Sequence, residues 1–157
     1  TAAWSEFSFT DKVLTKGRQF FNYYKDECLV LAGGNAAGTL DVHQIHTYAN
    51  DGSFSKSSPF NVPATAYGLS GPIIIGEFSA SKVTDGRWDV QSLYRAALES
   101  GYAGAWDWAL MDGTTDGNDS EQEVLAGVSA LAGLPQINVN ITSRISLRDV
   151  CVEGDKV

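Results

Sequence analysis

The amino-acid sequence predicts an α/β fold with a parallel sheet, and three observations support this class. The three isoleucines at residues 73–75 form a continuous β-branched run between Pro72 and Gly76, which is typical of a strand covered on both faces. Apolar residues at helical spacing follow this run, and another apolar strand comes directly after that helix. Strands that alternate with helices at such intervals are typical of parallel sheets with helical crossovers.

Two elements are predicted in the amino-terminal part of the chain. Ser8 and Asp11 match a capping box, and apolar residues follow them at helical spacing, so a helix is predicted over residues 9–26. Glu6 lies just upstream and is interpreted as a residue of the helix start. The short apolar run at residues 28–32, closed by two glycines, predicts a first buried strand.

The middle of the chain adds the other predicted elements of the sheet. Residues 40–48 predict a second strand, and residues 63–69 predict a short helix after a long polar loop. The isoleucine run is the third strand. Asp89 is the expected cap of a helix that ends at Gly101, because glycine readily takes the left-handed conformation of a helix end. Residues 102–108 predict the fourth strand.

The last third of the sequence has a different character. Residues 112–119 are rich in turn-forming residues and predict a linker, and residues 121–131 predict one helix. Alternating apolar residues over 136–152 predict a hairpin or two edge strands. The chain is therefore divided into a main unit, residues 1–112, and an extension, residues 113–157, which holds the linker, the short helix and a β-rich tail.

Composition excludes several classes of function. The 157 residues include 11 Lys+Arg and 19 Asp+Glu, so the net charge is −8, which argues against a general nucleic-acid binder with its clustered cations. No apolar run approaches the roughly 20 residues of a membrane span, and the first ten residues lack the pattern of an intact signal peptide. The acidic composition and the candidate glycosylation sequons at Asn118 and Asn140 favour a secreted, extracellular protein.

No cofactor or metal is predicted. Cys28 and Cys151 form no CxxC pair, although a disulfide between them is one alternative for an extracellular protein. The segment GGNAAG lacks the Gly-Lys-Ser/Thr end of a phosphate-binding loop. Asp41, His43 and His46 have a spacing that suggests metal ligands, but strand alternation places the two histidines on opposite faces.

Glu77 is the strongest candidate for chemistry, because it follows the buried isoleucine run in the segment PIIIGEF. In parallel barrels and open parallel sheets, the residue at the carboxyl end of a strand faces the mouth of the active site. A carboxylate placed there against apolar walls suits nucleophilic or acid–base chemistry. The alternative is a carboxylate that is merely solvated or acts as a cap beside the strand end.

Two further pairs of side chains accompany Glu77. His46 and Tyr48 are two residues apart, so in an extended strand they share a face, and a phenol that donates to Glu77 would keep it ionised. Trp106 and Trp108 share a face of the last strand in the same way. Indole rings stack on the apolar faces of sugars, and they also fill protein cores.

Taken in order, these motifs resemble the retaining glycoside hydrolases of the (β/α)8 type, and most closely glycoside hydrolase family 5 with its β-mannanase-like relatives. The resemblance rests on H-x-Y at residues 46–48, G-E-F at 76–78 and G-A-x-x-W at 104–108, each at the end of a successive predicted strand, and it covers roughly residues 9–110. It implies that the chain is the carboxyl-terminal half of a TIM barrel, strands 5–8, followed by a short β-rich tail.

The resemblance also implies roles for the candidate residues. Glu77 is the expected catalytic nucleophile, and His46 and Tyr48 bind substrate and orient it. Trp108 is the expected stacking platform under the cleaved sugar, and Trp106 lines a neighbouring subsite together with the loop at residues 49–60. A retaining enzyme needs a second carboxyl about 5–5.5 Å from the nucleophile to protonate the leaving oxygen.

That second carboxyl is not identified in the sequence. The family carries its acid/base glutamate in an Asn-Glu-Pro motif, which does not occur here, and the first four strands are absent as well. A partner chain, a second copy or another segment of a longer protein is therefore expected to complete the barrel, and the chain alone is predicted to be inactive.

Two functions remain open at this stage. The first is retaining, double-displacement hydrolysis of β-linked mannan or glucan, with this chain supplying the nucleophile half of the site. The second is a non-catalytic structural or glycan-binding component of an extracellular assembly. The predicted ligand is an oligo- or polysaccharide, with neither nucleic acid nor membrane insertion involved.

Overall fold

A four-stranded parallel sheet organises the chain in the computed structural model, which describes residues 2–4, 10–14, 17–21, 25–108, 119–135 and 137. Among these residues, the strands in chain order are β1 (Ala2–Trp4), β2 (Thr10–Leu14), β3 (Gly17–Phe21), β4 (His43–His46), β5 (Ala49–Asn50), β6 (Ser53–Phe54), β7 (Ile73–Phe78) and β8 (Gly104–Asp107). The helices are α1 (Asp26–Leu31), α2 (Val90–Glu99) and α3 (Glu121–Leu131), and a single 3-10 turn spans Ala64–Tyr67.

The sheet has the order β1-β4-β7-β8, and every neighbouring pair in it is parallel. Helix α2 forms the crossover between β7 and β8. Two antiparallel hairpins, β2–β3 and β5–β6, lie outside the sheet. The predicted α/β class with a parallel sheet is therefore confirmed.

The helix predicted over residues 9–26 is wrong. Strands β2 and β3 pair there as an antiparallel hairpin, from Thr10 opposite Phe21 to Leu14 opposite Gly17. The segment is rich in β-branched and aromatic residues, which favour strands, and its apolar spacing alone does not exclude a hairpin. The interpretation of Glu6 as a helix-start residue loses its basis, and Glu6 itself lies outside the described residues.

The strand predicted over residues 28–32 is also wrong, because helix α1 occupies this segment. A short apolar run cannot be distinguished from part of a helix by periodicity alone. Asp26 and Glu27 stand in the first turn, where the helix dipole favours acidic side chains. The sheet takes β1 as its fourth strand instead, which pairs with β4 from Ala2 opposite Gln44 to Trp4 opposite His46.

The other predicted elements of the main unit are confirmed. Strand β4, the 3-10 turn, β7 and β8 fall within or overlap their predicted segments. Helix α2 begins as expected, since the Asp89 side chain accepts a hydrogen bond from the amide of Ser92 at 2.7 Å. Strand β7 runs further than predicted, because pairing continues through Gly76 to Phe78.

An aromatic cluster lies on the helical side of the sheet. The Phe78 ring is fully buried and meets Phe60 and Tyr94 edge to face, with centroids 5.4 Å and 5.2 Å away. Phe60 also contacts Phe54 and Trp88. These rings come from β6, the loop after it, β7, the loop after β7, and α2, so their packing fixes the carboxyl end of β7 against its surroundings.

The long polar loop predicted after β4 contains the β5–β6 hairpin. Asp51 and Gly52 form its two-residue turn, both with positive φ, which is typical of a tight hairpin. The carbonyl of Gly52 accepts a hydrogen bond from the amide of Thr84 at 2.8 Å. The hairpin is thereby joined to the loop that follows β7.

Helix α3 packs against α2, and Gly127 lies directly against α2. A Cβ atom on Gly127 would lie only 2.7 Å from the ring of Tyr94 and 3.1 Å from the side chain of Val90. The helix predicted over residues 121–131 is confirmed, and Ser120 and Glu123 form its capping box. The predicted linker and β-rich tail lie almost entirely outside the described residues.

Candidate active site

Glu77 faces the open side of the sheet because β7 contains a bulge. Ile45 pairs with Ile75, but the next residue of β4, His46, pairs with Glu77, so Gly76 is an extra residue in β7. In a strand that alternated regularly, Glu77 would share the face of Ile75, which is fully buried, because the two residues are two apart. The bulge therefore turns Glu77 away from the helical side.

Glycine at the bulge leaves room for the side chain of Gln44. A Cβ atom on Gly76 would lie 2.0 Å from the side-chain nitrogen of Gln44 on the neighbouring strand. The sequence carried a signal for this feature, since a glycine inside a strand often marks a bulge or a close approach.

The structure brings the three central candidate residues together around one oxygen. The Tyr48 hydroxyl donates a hydrogen bond to Glu77 Oε2 at 3.0 Å, and His46 Nδ1 lies 3.1 Å from the same oxygen. The His46 and Glu77 side chains are 16% and 22% exposed, so the carboxyl group remains partly accessible to solvent. Two contacts thus orient the carboxyl group while leaving it open to a ligand, as a nucleophile or a proton carrier requires.

Trp106 and Trp108 lie on the same open face as Glu77. Phe78 pairs with Asp107, and Phe78 is buried on the helical side. Because side chains alternate along a strand, the flanking Trp106 and Trp108 are directed to the opposite face. They are 59% and 48% exposed, so the core interpretation of these two indoles does not apply within the described chain.

Asp107 is a notable residue that the sequence interpretation missed. Both of its carboxyl oxygens are buried, and no hydrogen-bond donor of the described residues reaches them. Burial raises the pKa of Asp107 to about 8, and the nearby carboxyl groups of Asp119 and Glu123 add to the rise. Asp119 is itself buried and accepts a hydrogen bond from the amide of Ala80 at 2.6 Å.

We expect this carboxyl to make stability depend on pH. The pKa of Asp107 is about 8 in the folded protein, against the ordinary value of 3.8 that applies in the unfolded chain. Between about pH 4 and pH 8 the folded protein therefore retains a proton that the unfolded chain releases. The free energy of unfolding therefore falls as pH rises through this window. An Asp107→Asn variant cannot ionise there and should become progressively more stable, relative to the parent, from pH 5 to about pH 8.

Urea denaturation at a series of pH values measures this difference. Asp41→Asn, at an exposed position, is the matched control. Curves of stability against pH that run parallel for the parent and Asp107→Asn would contradict the assignment.

The other candidate residues from the sequence, for metal binding, a disulfide and glycosylation, add nothing to the site around Glu77. His43 is buried on the face opposite His46, as predicted, and the described residues contain no group of three His, Cys, Asp or Glu side chains suited to a metal ion. Cys28 is half-buried on α1 without a disulfide partner among the described residues, while Cys151, Asn118 and Asn140 lie outside them. None of the described helices is both long enough and apolar enough to cross a membrane.

Comparison with known proteins gives a consistent set of relatives. The sequence is 36% identical over 132 residues to a mannan endo-1,4-beta-mannosidase of Cryptopygus antarcticus, a match that covers 83% of this chain and 32% of that protein. The fold superposes on the endo-1,4-beta-mannanase of Eisenia fetida with a TM-score of 0.67 and 41% identity, covering 85% of this chain and 35% of that one. The beta-mannanase of the blue mussel Mytilus edulis superposes with a TM-score of 0.68 and 31% identity, covering 85% and 34%.

No protein-family model matches the sequence. The chain spans only about a third of the length of the curated relatives it matches. Sequence and structure agree, however, on one group of relatives. The chain is thus homologous to endo-1,4-β-mannanases of the glycoside hydrolase family 5 type.

Proposed function

We propose that this chain supplies the nucleophile half of the active site of a retaining β-glycan hydrolase. The observation that carries the proposal is the arrangement at the end of β7, where a bulge presents Glu77 on the open face. There Tyr48 and His46 both contact its Oε2 atom, at 3.0 Å and 3.1 Å. A partly exposed, oriented carboxylate is what a double-displacement mechanism requires of its nucleophile.

The proposed reaction has two steps. In the first, a Glu77 oxygen attacks the anomeric carbon, the glycosidic bond breaks, and the leaving oxygen takes a proton from a carboxylic acid outside this chain. In the second, the resulting carboxylate removes a proton from water, and that water attacks the anomeric carbon of the glycosyl ester and releases Glu77. Tyr48 and His46 hold the carboxyl group of Glu77 in position through both steps.

The proposed substrate is a β-1,4-linked mannan, with a related glucan as the alternative. The relatives are named as endo-1,4-β-mannosidases. Trp108 and Trp106 provide exposed indole faces on the side of the sheet that carries Glu77, and such faces stack on the apolar faces of sugars. The net charge of −8 suits an uncharged polymer.

We further propose that β1, β4, β7 and β8 are strands 5–8 of a (β/α)8 barrel. In this assignment residues 1–112 form the carboxyl-terminal half of the barrel and residues 113–157 an extension, within a secreted protein. The rest of the barrel, with the acid/base carboxyl, comes from a partner chain, from a second copy of this chain or from another segment of a longer polypeptide. This chain by itself is then expected to hydrolyse nothing.

One feature favours a second candidate, a non-catalytic structural or glycan-binding component of an extracellular assembly. The sequence contains no Asn-Glu-Pro motif of the kind that carries the acid/base residue in the family it resembles. The contacts around Glu77 favour the hydrolase, because a structural component does not need an oriented carboxylate at the strand end.

Proton NMR of the first products released from β-1,4-mannan distinguishes these functions. The protein with its complete barrel is expected to release sugars whose new reducing ends are initially in the β configuration, because double displacement retains the configuration. Products initially in the α configuration would exclude the proposed mechanism. Binding without hydrolysis would support the second candidate.

A further inference from the structure

Thr47 lies between two residues of the proposed site but faces away from it. His46 and Tyr48 contact Glu77 on the open face, whereas the Thr47 side chain is fully buried on the other. The amide of Thr47 donates a hydrogen bond to the carbonyl of Glu77 at 3.0 Å. The same residue therefore joins the end of β4 to the backbone of Glu77.

The Thr47 hydroxyl makes a second connection, to the loop after β4. It donates a hydrogen bond to the hydroxyl of Ser58 at 2.8 Å, and both residues are fully buried. Ser58 is the first residue of a turn, in which its carbonyl accepts a hydrogen bond from the amide of Asn61 at 2.8 Å. Its hydroxyl also accepts a hydrogen bond from the amide of Phe60 at 3.3 Å. The bond from Thr47 thus anchors this turn beneath the site.

The Thr47–Ser58 bond also supports a second contact next to Glu77. The turn at Ser58 places the Phe60 ring against Phe78, the residue that follows Glu77, with ring centroids 5.4 Å apart. Glu77 is then held through its own carbonyl by Thr47 and through its neighbour by Phe60. Both connections meet at the hydroxyl pair of Thr47 and Ser58.

We propose that Thr47 and Ser58 are positioning residues of this site, whose buried hydroxyl bond keeps Glu77 aligned with Tyr48. This inference rests on the proposed hydrolase function. Neither side chain touches the open face, so both act through Glu77 and Tyr48. A buried hydroxyl that loses its partner is costly, which makes the bond a strong constraint on the local backbone. Small displacements of a reacting group lower catalytic rates steeply.

The test compares two substitutions at Thr47 in the protein with its complete barrel, using β-1,4-mannan as substrate. Thr47→Val keeps the shape of the side chain but removes the hydroxyl. We expect kcat to fall about tenfold and KM to change less than about threefold. The effect falls on kcat because the alignment of the nucleophile acts on the chemical step. Thr47→Ser keeps the hydroxyl and is expected to restore most of the parental kcat. Hydrogen exchange at the amides of Phe60 and Asn61 should be faster in the valine variant only.

The outcomes separate this inference from the proposed function. An inactive parent protein would overturn the proposed function. An active parent with an unaltered kcat in Thr47→Val, or with a serine variant as slow as the valine variant, would overturn only the positioning role. If Thr47→Val does not fold, the double variant Thr47→Val with Ser58→Ala removes both hydroxyls together, and parental kcat in that protein would equally overturn it.

Discussion

Replacement of Glu77 by glutamine is expected to reduce hydrolysis of β-1,4-mannan by roughly 10³-fold or more, because an amide oxygen does not form the glycosyl ester that a carboxylate forms. Glutamine has nearly the same shape as glutamate, and its carbonyl oxygen can still accept the hydrogen bond from Tyr48. The fold should therefore be retained. Release of reducing ends from mannan by the protein with its complete barrel measures the effect.

The matched control for this substitution is Glu99→Gln. Glu99 is exposed at the end of α2, on the helical side of the sheet and away from the open face. Its replacement removes the same charge and should leave the rate within about twofold of the parent, since surface substitutions rarely perturb a distant site. A Glu77→Gln protein that folds and keeps more than a tenth of the parental rate would show that another carboxyl is the nucleophile.

Replacement of Trp108 by alanine is expected to have the second largest effect. Loss of a large apolar contact is worth about 2–3 kcal/mol, which corresponds to a fall in kcat/KM of roughly 30- to 150-fold. Trp108→Phe keeps an aromatic face and should retain most of the activity. Steady-state kinetics on a series of mannan oligosaccharides gives the measurement.

Trp106 provides the comparison within the same strand. It lies on the same face but is more exposed, at 59% against 48%, and it is assigned to a neighbouring subsite. We expect Trp106→Ala to lower kcat/KM less than Trp108→Ala does, and chiefly with longer oligosaccharides. Equal effects of the two substitutions on the shortest substrate cleaved would contradict the assignment of Trp108 to the cleaved sugar.

The sequence was informative wherever local pattern and burial coincide. The isoleucine run before Gly76 identifies strand β7, and Asp89 identifies the start of α2. Strand alternation placed His46 and Tyr48 on one face, and the resemblance to glycoside hydrolase family 5 implied that they group with Glu77. Two segments were misassigned: residues 9–26, where a capping-box match and helical spacing predicted a helix, and the short apolar run at residues 28–32.

The features that were missed depend on contacts between distant parts of the chain. The burial of Asp107 beside Asp119 requires α3 to pack on α2, and the bond between Thr47 and Ser58 requires the intervening loop to fold back under β4. No local pattern distinguishes these residues from ordinary strand and loop positions. The bulge that turns Glu77 to the open face could be predicted only in part. Gly76 suggests a bulge at this position, but the sequence does not show to which face the bulge turns Glu77.

The most direct test of the central claim is covalent labelling with a 2-deoxy-2-fluoro-β-mannosyl donor, read out by peptide mass spectrometry. Such a donor slows the release of the glycosyl ester, so a retaining enzyme accumulates the intermediate on its nucleophile. In the protein with its complete barrel, we predict one sugar on the peptide that contains Glu77, and none in the Glu77→Gln variant. A label on a different carboxyl group, or an active protein that acquires no label, would contradict the claim.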